Sequence, residues 1–221
     1  MKKHANYSRN VFINCPFDDE YYELRKILIF TITYLGFTAR ISLEISDSGE
    51  IRLDKITRLI QESKYSVHDL SRLQSKSIDE FYRLNMPFEL GLDYGLRKFN
   101  PSFHDKRMLI LEKSRFDYMK AISDINGMDI KNHDNDAGTL VKKVRAWFAE
   151  TTGSRNLISA GKVYSDYFEF QKDLFLDKMN RYKAKNKSTE TQAENFAKSE
   201  IEEMTIPELI SEIKNWRNKN K

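Results

Sequence analysis

Short apolar segments alternate with amphipathic segments along the first 150 residues, and this alternation limits the folds that the chain can adopt. Patterns typical of strands lie at 10–15, 37–43, 65–70, 107–112 and, as a shorter stretch, 128–130. Patterns typical of helices lie between or after them, at 19–35, 51–60, 85–95 and 138–148. Strands joined by helices pair in parallel through right-handed crossovers, so we expect an α/β fold with a doubly wound parallel sheet of about five strands.

The C-terminal part of the chain has a different pattern. No strand is visible from Thr151 onward, and residues 155–183 and 188–218 predict two or three helices. Thr205, Pro207 and Glu208 are typical of a helix start. We therefore expect an α/β domain over 1–150 and a helical region over 151–221. Its aromatic faces should dock on the sheet domain, form a homo-oligomer or bind a protein partner.

The composition excludes several classes of protein. A single cysteine, Cys15, rules out an intrachain disulfide and is expected in the core. The net charge of +4 does not demand a nucleic-acid partner. The longest apolar run, 27–32, is far shorter than the roughly 20 residues of a membrane span, and no apolar signal core follows the Met-Lys-Lys start. These features predict a cytoplasmic protein without a membrane partner.

Polar residues occur where the predicted strands end. Ligands of doubly wound sheets bind outside the carboxyl ends of the strands, so these segments are expected to meet at one rim. The candidate residues are Asn14, Phe17 and Asp18 after the first strand, Ser48, Gly49 and Arg52 after the second, Asp69 and Ser71 after the third, and Phe88 and Glu89 at the next helix start.

Glu89 lies in the most informative of these segments, residues 85–95. Pro87 is suited to a first helical turn, and Gly91 and Gly95 permit close packing. Backbone N–H groups and the dipole at a helix opening favour negative charge, so the Glu89 carboxylate is expected to stay ionised in a partly dry cleft. The alternative is that Glu89 only complements the dipole of an ordinary helix.

Other chemistries lack a signature. The chain has no G-x-G-x-x-G and no G-x-x-x-x-G-K-[ST], so neither hydride transfer nor nucleoside-triphosphate hydrolysis is supported. The four histidines lack a metal-ligand spacing, and no metal is expected. His68 is read as a core residue or as a base. The Ser48-Gly49 turn with Arg52 either binds a phosphate or is a plain helix start.

Carboxylate chemistry remains. Cleavage of an N-glycosidic bond passes through an oxocarbenium-like state, which one carboxylate stabilises or captures while a second acid group holds the sugar or handles the leaving base. Glu89 and Asp69 fit these two tasks. Alternatively, Asp69 is a strand-end residue that forms a turn with Ser71.

These residues resemble a known group of proteins. The segments 11–13 and 85–91, together with Asp69, are similar to the nucleoside 2-deoxyribosyltransferase-like families and the related bacterial TIR-like domains. The resemblance covers about residues 10–150. It implies a flavodoxin-like sheet, a catalytic Glu89 that acts on the anomeric carbon, and cleavage of nucleosides, nucleotides or NAD+. Residues 14–18 resemble the transferases more closely, whereas 83–85 resemble the TIR-like side.

The first hypothesis is therefore an N-glycosidase acting on NAD+ or another nucleotide as substrate, with no separate cofactor. Arg52 with the Ser48-Gly49 turn would contact phosphate, and Phe17 and Phe88 would stack on the base. Relatives of this kind often serve as toxins or antiviral effectors. The alternatives are a nucleotide-binding sensor without turnover and a salvage nucleoside 2-deoxyribosyltransferase.

Overall fold

The computed structural model describes residues 3–44, 46–73 and 84–220. Five parallel strands form one sheet in the order β2-β1-β3-β4-β5. Their bounds are β1 Asn10–Asn14, β2 Thr38–Ile41, β3 Tyr65–Asp69, β4 Arg107–Glu112 and β5 Lys131–Asn132. This order is that of flavodoxin-like folds, so the predicted fold class is confirmed.

Seven α-helices accompany the sheet in the described part of the chain. They are α1 Tyr22–Tyr34, α2 Arg52–Gln61, α3 Asn85–Phe99, α4 Ala137–Thr152, α5 Ala160–Lys185, α6 Glu190–Glu202 and α7 Ile206–Lys219. Helices α1 and α4 pack against each other on one face of the sheet, and α2 and α3 pack against each other on the opposite face.

The central strand β1 shows why its sequence is apolar throughout. Val11 and Ile13 point into the core formed with α1 and α4, whereas Phe12 packs against Ile56 and Leu59 of α2. Successive side chains of a strand point to opposite faces, and here helices cover both faces. Every residue of β1 is therefore buried.

Two strand predictions need correction. The apolar segment 128–130 is not β5, because Met128 and Ile130 pack with the buried side chains around Leu70, and the following residues, Lys131–Asn132, pair with β4. The predicted strand 37–43 is shorter than expected. It turns at Ser42–Glu44, where the Glu44 carboxylate accepts hydrogen bonds from Arg40 Nε (2.7 Å) and the Ile41 N–H (3.2 Å).

The C-terminal region contains three helices, where the sequence predicted two or three. Helix α5 packs on α1 and α4, α7 packs on α1, and α6 packs on α5. Phe30 of α1 lies 5.4 Å from the Phe170 ring and 6.3 Å from the Trp216 ring, between ring centroids. Part of the aromatic surface is thus covered by α1, while a role in oligomers or partner binding stays a prediction.

The start of α7 matches the sequence pattern. Thr205 accepts a hydrogen bond from the Glu208 N–H, and the Glu208 carboxylate accepts one from the Thr205 N–H (2.7 Å). Pro207 lies in the first turn. Among the residues that the structure describes, no helix is both long and apolar enough to cross a membrane.

Candidate active site

A cleft of about 120 Å³ opens at the carboxyl end of β1. The loop after β1, the first residue of α2 and the first five residues of α3 contribute its walls, and no residue of α5, α6 or α7 lines it. The lining residues are Asn14, Cys15, Pro16, Phe17, Arg52, Asn85, Met86 and Glu89. The fold therefore brings together four of the predicted site residues, Asn14, Phe17, Arg52 and Glu89.

Glu89 is the carboxylate of this cleft. It is the fifth residue of α3 and only 8% exposed, and its carboxyl makes no hydrogen bond within the described residues. Burial raises the pKa of Glu89 to about 7, and the positive charge of Arg52 offsets part of this rise. The side chain titrates near neutral pH.

The raised pKa of Glu89 differs from the expectation that its carboxylate stays ionised at the helix opening. The first turn of α3 contains no acidic residue. The N–H groups without a partner inside a helix belong to its first four residues, and Glu89 follows them. The Phe88 N–H, moreover, already donates to the Leu84 carbonyl (3.0 Å). The helix end therefore does not cancel the cost of desolvating the carboxylate.

Phe17 and Arg52 form the adjacent wall. The Arg52 guanidinium lies 6.0 Å from the centroid of the Phe17 ring, and the Arg25 guanidinium lies 5.7 Å from the same centroid. Arg52 is exposed at the start of α2. An aromatic ring beside an accessible guanidinium can contact a base and a phosphate of the same nucleotide.

Asp69 does not line the cleft. It is fully buried and accepts hydrogen bonds from the Tyr21 hydroxyl, the Ser71 N–H (3.0 Å) and hydroxyl, and His133 Nε2 (2.9 Å). Burial opposes its ionisation, but the bonds from His133, Ser71 and Tyr21 outweigh burial and lower the pKa of Asp69. This geometry favours the strand-end turn with Ser71 over a part in catalysis.

The Ser71, His133 and Asp69 side chains are not arranged as a catalytic triad. His133 Nε2 meets both Ser71 Oγ and Asp69 Oδ2 at 2.9 Å, while Nδ1 accepts a hydrogen bond from the Asn135 N–H (3.2 Å). A triad needs the serine and the aspartate on opposite ring nitrogens. Here the same nitrogen serves both, so proton transfer from Ser71 is not supported.

A second buried network lies next to the cleft. Asn14 Nδ2 is 3.1 Å from His68 Nδ1, His68 Nε2 is 3.0 Å from Asp93 Oδ2, and Lys106 Nζ is 3.1 Å from Asp93 Oδ1. His68, Asp93 and Lys106 are all fully buried. His68 is hydrogen-bonded at both nitrogens, which fits the reading of a core residue.

The predicted site residues do not include His133, Asp93 or Lys106. Asp93 had a usable signal, because it follows Glu89 by four residues and therefore lies on the same side of α3. His133 and Lys106 had none, since each is distant in sequence from the carboxylate that it contacts.

The remaining candidates lie outside the cleft lining. Asp18 accepts hydrogen bonds from the Tyr21 N–H (3.0 Å) and Arg72 Nε (3.2 Å). Ser48 and Gly49 are exposed, and the Gly49 N–H donates to Asp47 Oδ1 (2.9 Å). A carboxylate on that N–H disfavours a phosphate at this turn.

Phe88 is 55% exposed and absent from the cleft lining, although it neighbours Glu89 in sequence. Arg83, part of the segment that resembles the TIR-like side, lies outside the described residues. Stacking by Phe88 therefore remains a prediction without support from the cleft geometry.

Within residues 3–44, 46–73 and 84–220, no three His, Cys, Asp or Glu side chains are grouped so that they could hold a metal ion. No protein-family model, curated protein or solved structure matches this chain. A function can therefore be inferred from the cleft residues and from the sequence resemblance.

Proposed function

We propose that the protein is an N-glycosidase that cleaves NAD+ or a related nucleotide, with Glu89 as the catalytic residue. The supporting observation is the Glu89 carboxyl, which is buried in the wall of a cleft, lacks a hydrogen-bond partner within the described residues and has a pKa of about 7. Such a group is costly to maintain for structure alone, and perturbed titration in a cleft is typical of functional sites.

The reaction begins with loss of the base from the anomeric carbon. The C1′–N bond breaks, its electron pair leaves with the base, and positive charge develops on C1′ and the ring oxygen. Ionised Glu89 stabilises this cation or forms a bond to C1′. Water then adds to C1′, which breaks the bond to Glu89 where one has formed, and the water proton passes to the Glu89 carboxylate or to solvent. Phe17 contacts the base or the sugar, and Arg52 contacts the phosphate.

The number of carboxylates favours NAD+ over nucleotides with a neutral leaving base. Among the described residues that line the cleft, Glu89 is the only carboxylate, because Asp69 is enclosed in its own network. Adenine must acquire a proton to leave readily, whereas the nicotinamide of NAD+ is already cationic and leaves as a neutral molecule. A cleft with a single carboxylate is sufficient for the second reaction.

Consumption of NAD+ inside the cell that makes the protein would be toxic to that cell. We therefore extend the proposal to a bacterial toxin or antiviral effector acting in the cytoplasm, which is what the resemblance implies. Control by a partner or by a homo-oligomer through α5–α7 belongs to the same proposal.

One observation favours a second candidate, a nucleotide-binding sensor. Enclosure of Asp69 removes the second acid group that many glycosidases use. A cleft with Phe17, Arg52 and a partly protonated Glu89 can bind a nucleotide through stacking, ion pairing and ribose hydrogen bonds without cleaving it.

The test is chromatography after incubation with NAD+, ATP, dATP or deoxyadenosine. The parent protein is expected to release nicotinamide from NAD+, and Glu89→Gln is expected to be at least about a hundredfold slower. Glu112→Gln is the matched control, because Glu112 is also a buried glutamate, but it lies at the end of β4 and accepts the Phe116 N–H (2.9 Å). It should retain activity.

The alternatives give different results. Intact ligands together with stoichiometric binding of one nucleotide would indicate the sensor. Exchange of the base on addition of a second free base would indicate a deoxyribosyltransferase. Equal activity of the parent and Glu89→Gln would refute the part assigned to Glu89.

A further inference from the structure

Asn14 connects the cleft with the buried network next to it. It lies at the end of β1, it lines the cleft, and its amide nitrogen contacts both the Met86 carbonyl (2.9 Å) and His68 Nδ1 (3.1 Å). The amide therefore joins β1 and β3 to the first turn of α3, the helix that carries Glu89.

The partners of Asn14 determine which way its amide points. A backbone carbonyl can only accept, so the atom facing Met86 is the NH₂ group. Its second hydrogen points to His68 Nδ1, which must then be an unprotonated acceptor. His68 therefore carries its proton on Nε2 and donates it to Asp93 Oδ2 (3.0 Å).

Asp93 is held in turn by Lys106. The ammonium group lies 3.1 Å from Asp93 Oδ1 and donates to the Ile60 carbonyl (2.7 Å). Both side chains are fully buried. The ion pair with Lys106 favours an ionised Asp93, which accepts the hydrogen bond from His68 Nε2, although Asp93 Oδ1 itself makes no hydrogen bond within the described residues.

The Asn14 oxygen is left on the other side of the amide. Oδ1 makes no hydrogen bond within the described residues. Some side-chain oxygen and nitrogen atoms of the described residues are both buried from solvent and without a hydrogen-bond partner. They belong to Thr33, Ser66, Asp93, Ser188 and Arg217, and Asn14 Oδ1 is not one of them. Asn14 is 3% exposed, and the space that it lines is the cleft.

We propose that Asn14 determines ligand specificity by presenting a hydrogen-bond acceptor to the cleft, and that His68, Asp93 and Lys106 are positioning residues that prevent its amide from flipping. This proposal rests on the proposed function, in which the cleft holds the nucleotide. It predicts that the ligand offers an O–H or N–H donor to Asn14. In NAD+ that donor is a ribose hydroxyl or the nicotinamide carboxamide.

Calorimetric binding in the Glu89→Gln background distinguishes these donors. The ligands are NAD+, its analogues without the 2′-hydroxyl or the 3′-hydroxyl of the nicotinamide ribose, and its 3-acetylpyridine analogue, which lacks the carboxamide N–H. One analogue should bind about tenfold more weakly than NAD+, because Oδ1 loses its donor. Adding Asn14→Ala should abolish that difference.

Asn10→Ala is the matched control. Asn10 is a buried asparagine at the opposite end of β1, and its amide donates to the Glu62 carbonyl (2.9 Å), away from the cleft. This change should lower stability but keep the discrimination between NAD+ and the analogue. Discrimination that survives Asn14→Ala would overturn the proposal.

The tautomer of His68 tests the same proposal without a ligand. In protein labelled with ¹⁵N-histidine, with His68→Gln used for assignment, Nε2 should be protonated and Nδ1 unprotonated. A proton on Nδ1 would mean that the amide points the other way and would overturn the proposal. Absence of nucleotide binding and cleavage by the parent would instead refute the proposed function, while the tautomer would still decide the orientation of Asn14.

Discussion

Asp69 and Glu89 lie near the same edge of the sheet, and both are buried, yet their pKa values are shifted in opposite directions. Asp69 is surrounded by Tyr21, Ser71 and His133, and its pKa is lowered. Glu89 makes no hydrogen bond within the described residues, and its pKa is raised to about 7. Burial penalises both carboxylates, so the hydrogen-bond donors around each one decide the sign.

The difference in hydrogen bonding distinguishes a carboxylate that stabilises the fold from one whose oxygens are free to contact a ligand. Asp69 has its oxygens occupied by donors, which stabilises the fold and leaves little capacity for a substrate. Glu89 destabilises the fold when it is ionised, and its oxygens can interact with a ligand. Position at the carboxyl edge of a sheet identifies both residues as candidates, but of the two only Glu89 lines the cleft.

The largest expected loss of stability is that of Asp69→Asn. The amide would place an NH₂ group among donors and remove the charge that His133 and Tyr21 contact, so unfolding in urea should show a loss of about 3 kcal/mol. Glu89→Gln, measured at pH 5, should stay within about 1 kcal/mol of the parent. A cost below 1 kcal/mol for Asp69→Asn would break the comparison.

The pH dependence of stability should also separate the two carboxylates. The folded-state pKa of Glu89 is above its unfolded value of 4.5, so its folded state is penalised increasingly as pH rises from 4.5 through 7. Glu89→Gln should therefore be up to about 3 kcal/mol more stable than the parent at pH 8, and the two should converge near pH 4.5.

The contribution of Asp69 to stability depends on pH in the opposite direction. Its lowered pKa contributes stability above the unfolded value of 3.8, and this contribution is lost as pH falls below that value. Urea denaturation of the parent and of Glu89→Gln from pH 4 to pH 8 tests the prediction for Glu89. Parallel curves would show that Glu89 ionises without a penalty.

The smallest effects should come from the two parts of the predicted phosphate site. Arg52 lines the cleft, so Arg52→Gln should weaken binding of NAD+ about tenfold, by loss of one charged contact. Ser48 is exposed and outside the lining, and Ser48→Ala should leave binding unchanged. Titration calorimetry in the Glu89→Gln background measures both, and a large effect of Ser48→Ala would extend the cleft to this turn.

Local patterns were enough to predict the fold and one side of the site. Apolar periodicity identified four strands, and the β-α order required them to be parallel, because helical crossovers permit little else. The fifth strand was misplaced because it is only two residues long and polar, so its pairing depends on β4 and not on its own pattern. The motif 85–91 singled out Glu89, which lines the cleft in the structure.

The sequence alone thus specified a parallel α/β sheet, a helical C-terminal region and Glu89 as the residue to examine, since these depend on periodicity and on neighbours within a few positions. Only the tertiary structure decided that Asp69 is enclosed by Tyr21 and His133, and that Asp93 and Lys106 lie behind His68. Such contacts join distant parts of the chain, and the sequence does not indicate which donor will contact which acceptor. These contacts decide that the Asp69 carboxylate is hydrogen-bonded within the fold and that the Glu89 carboxylate is left without a partner among the described residues.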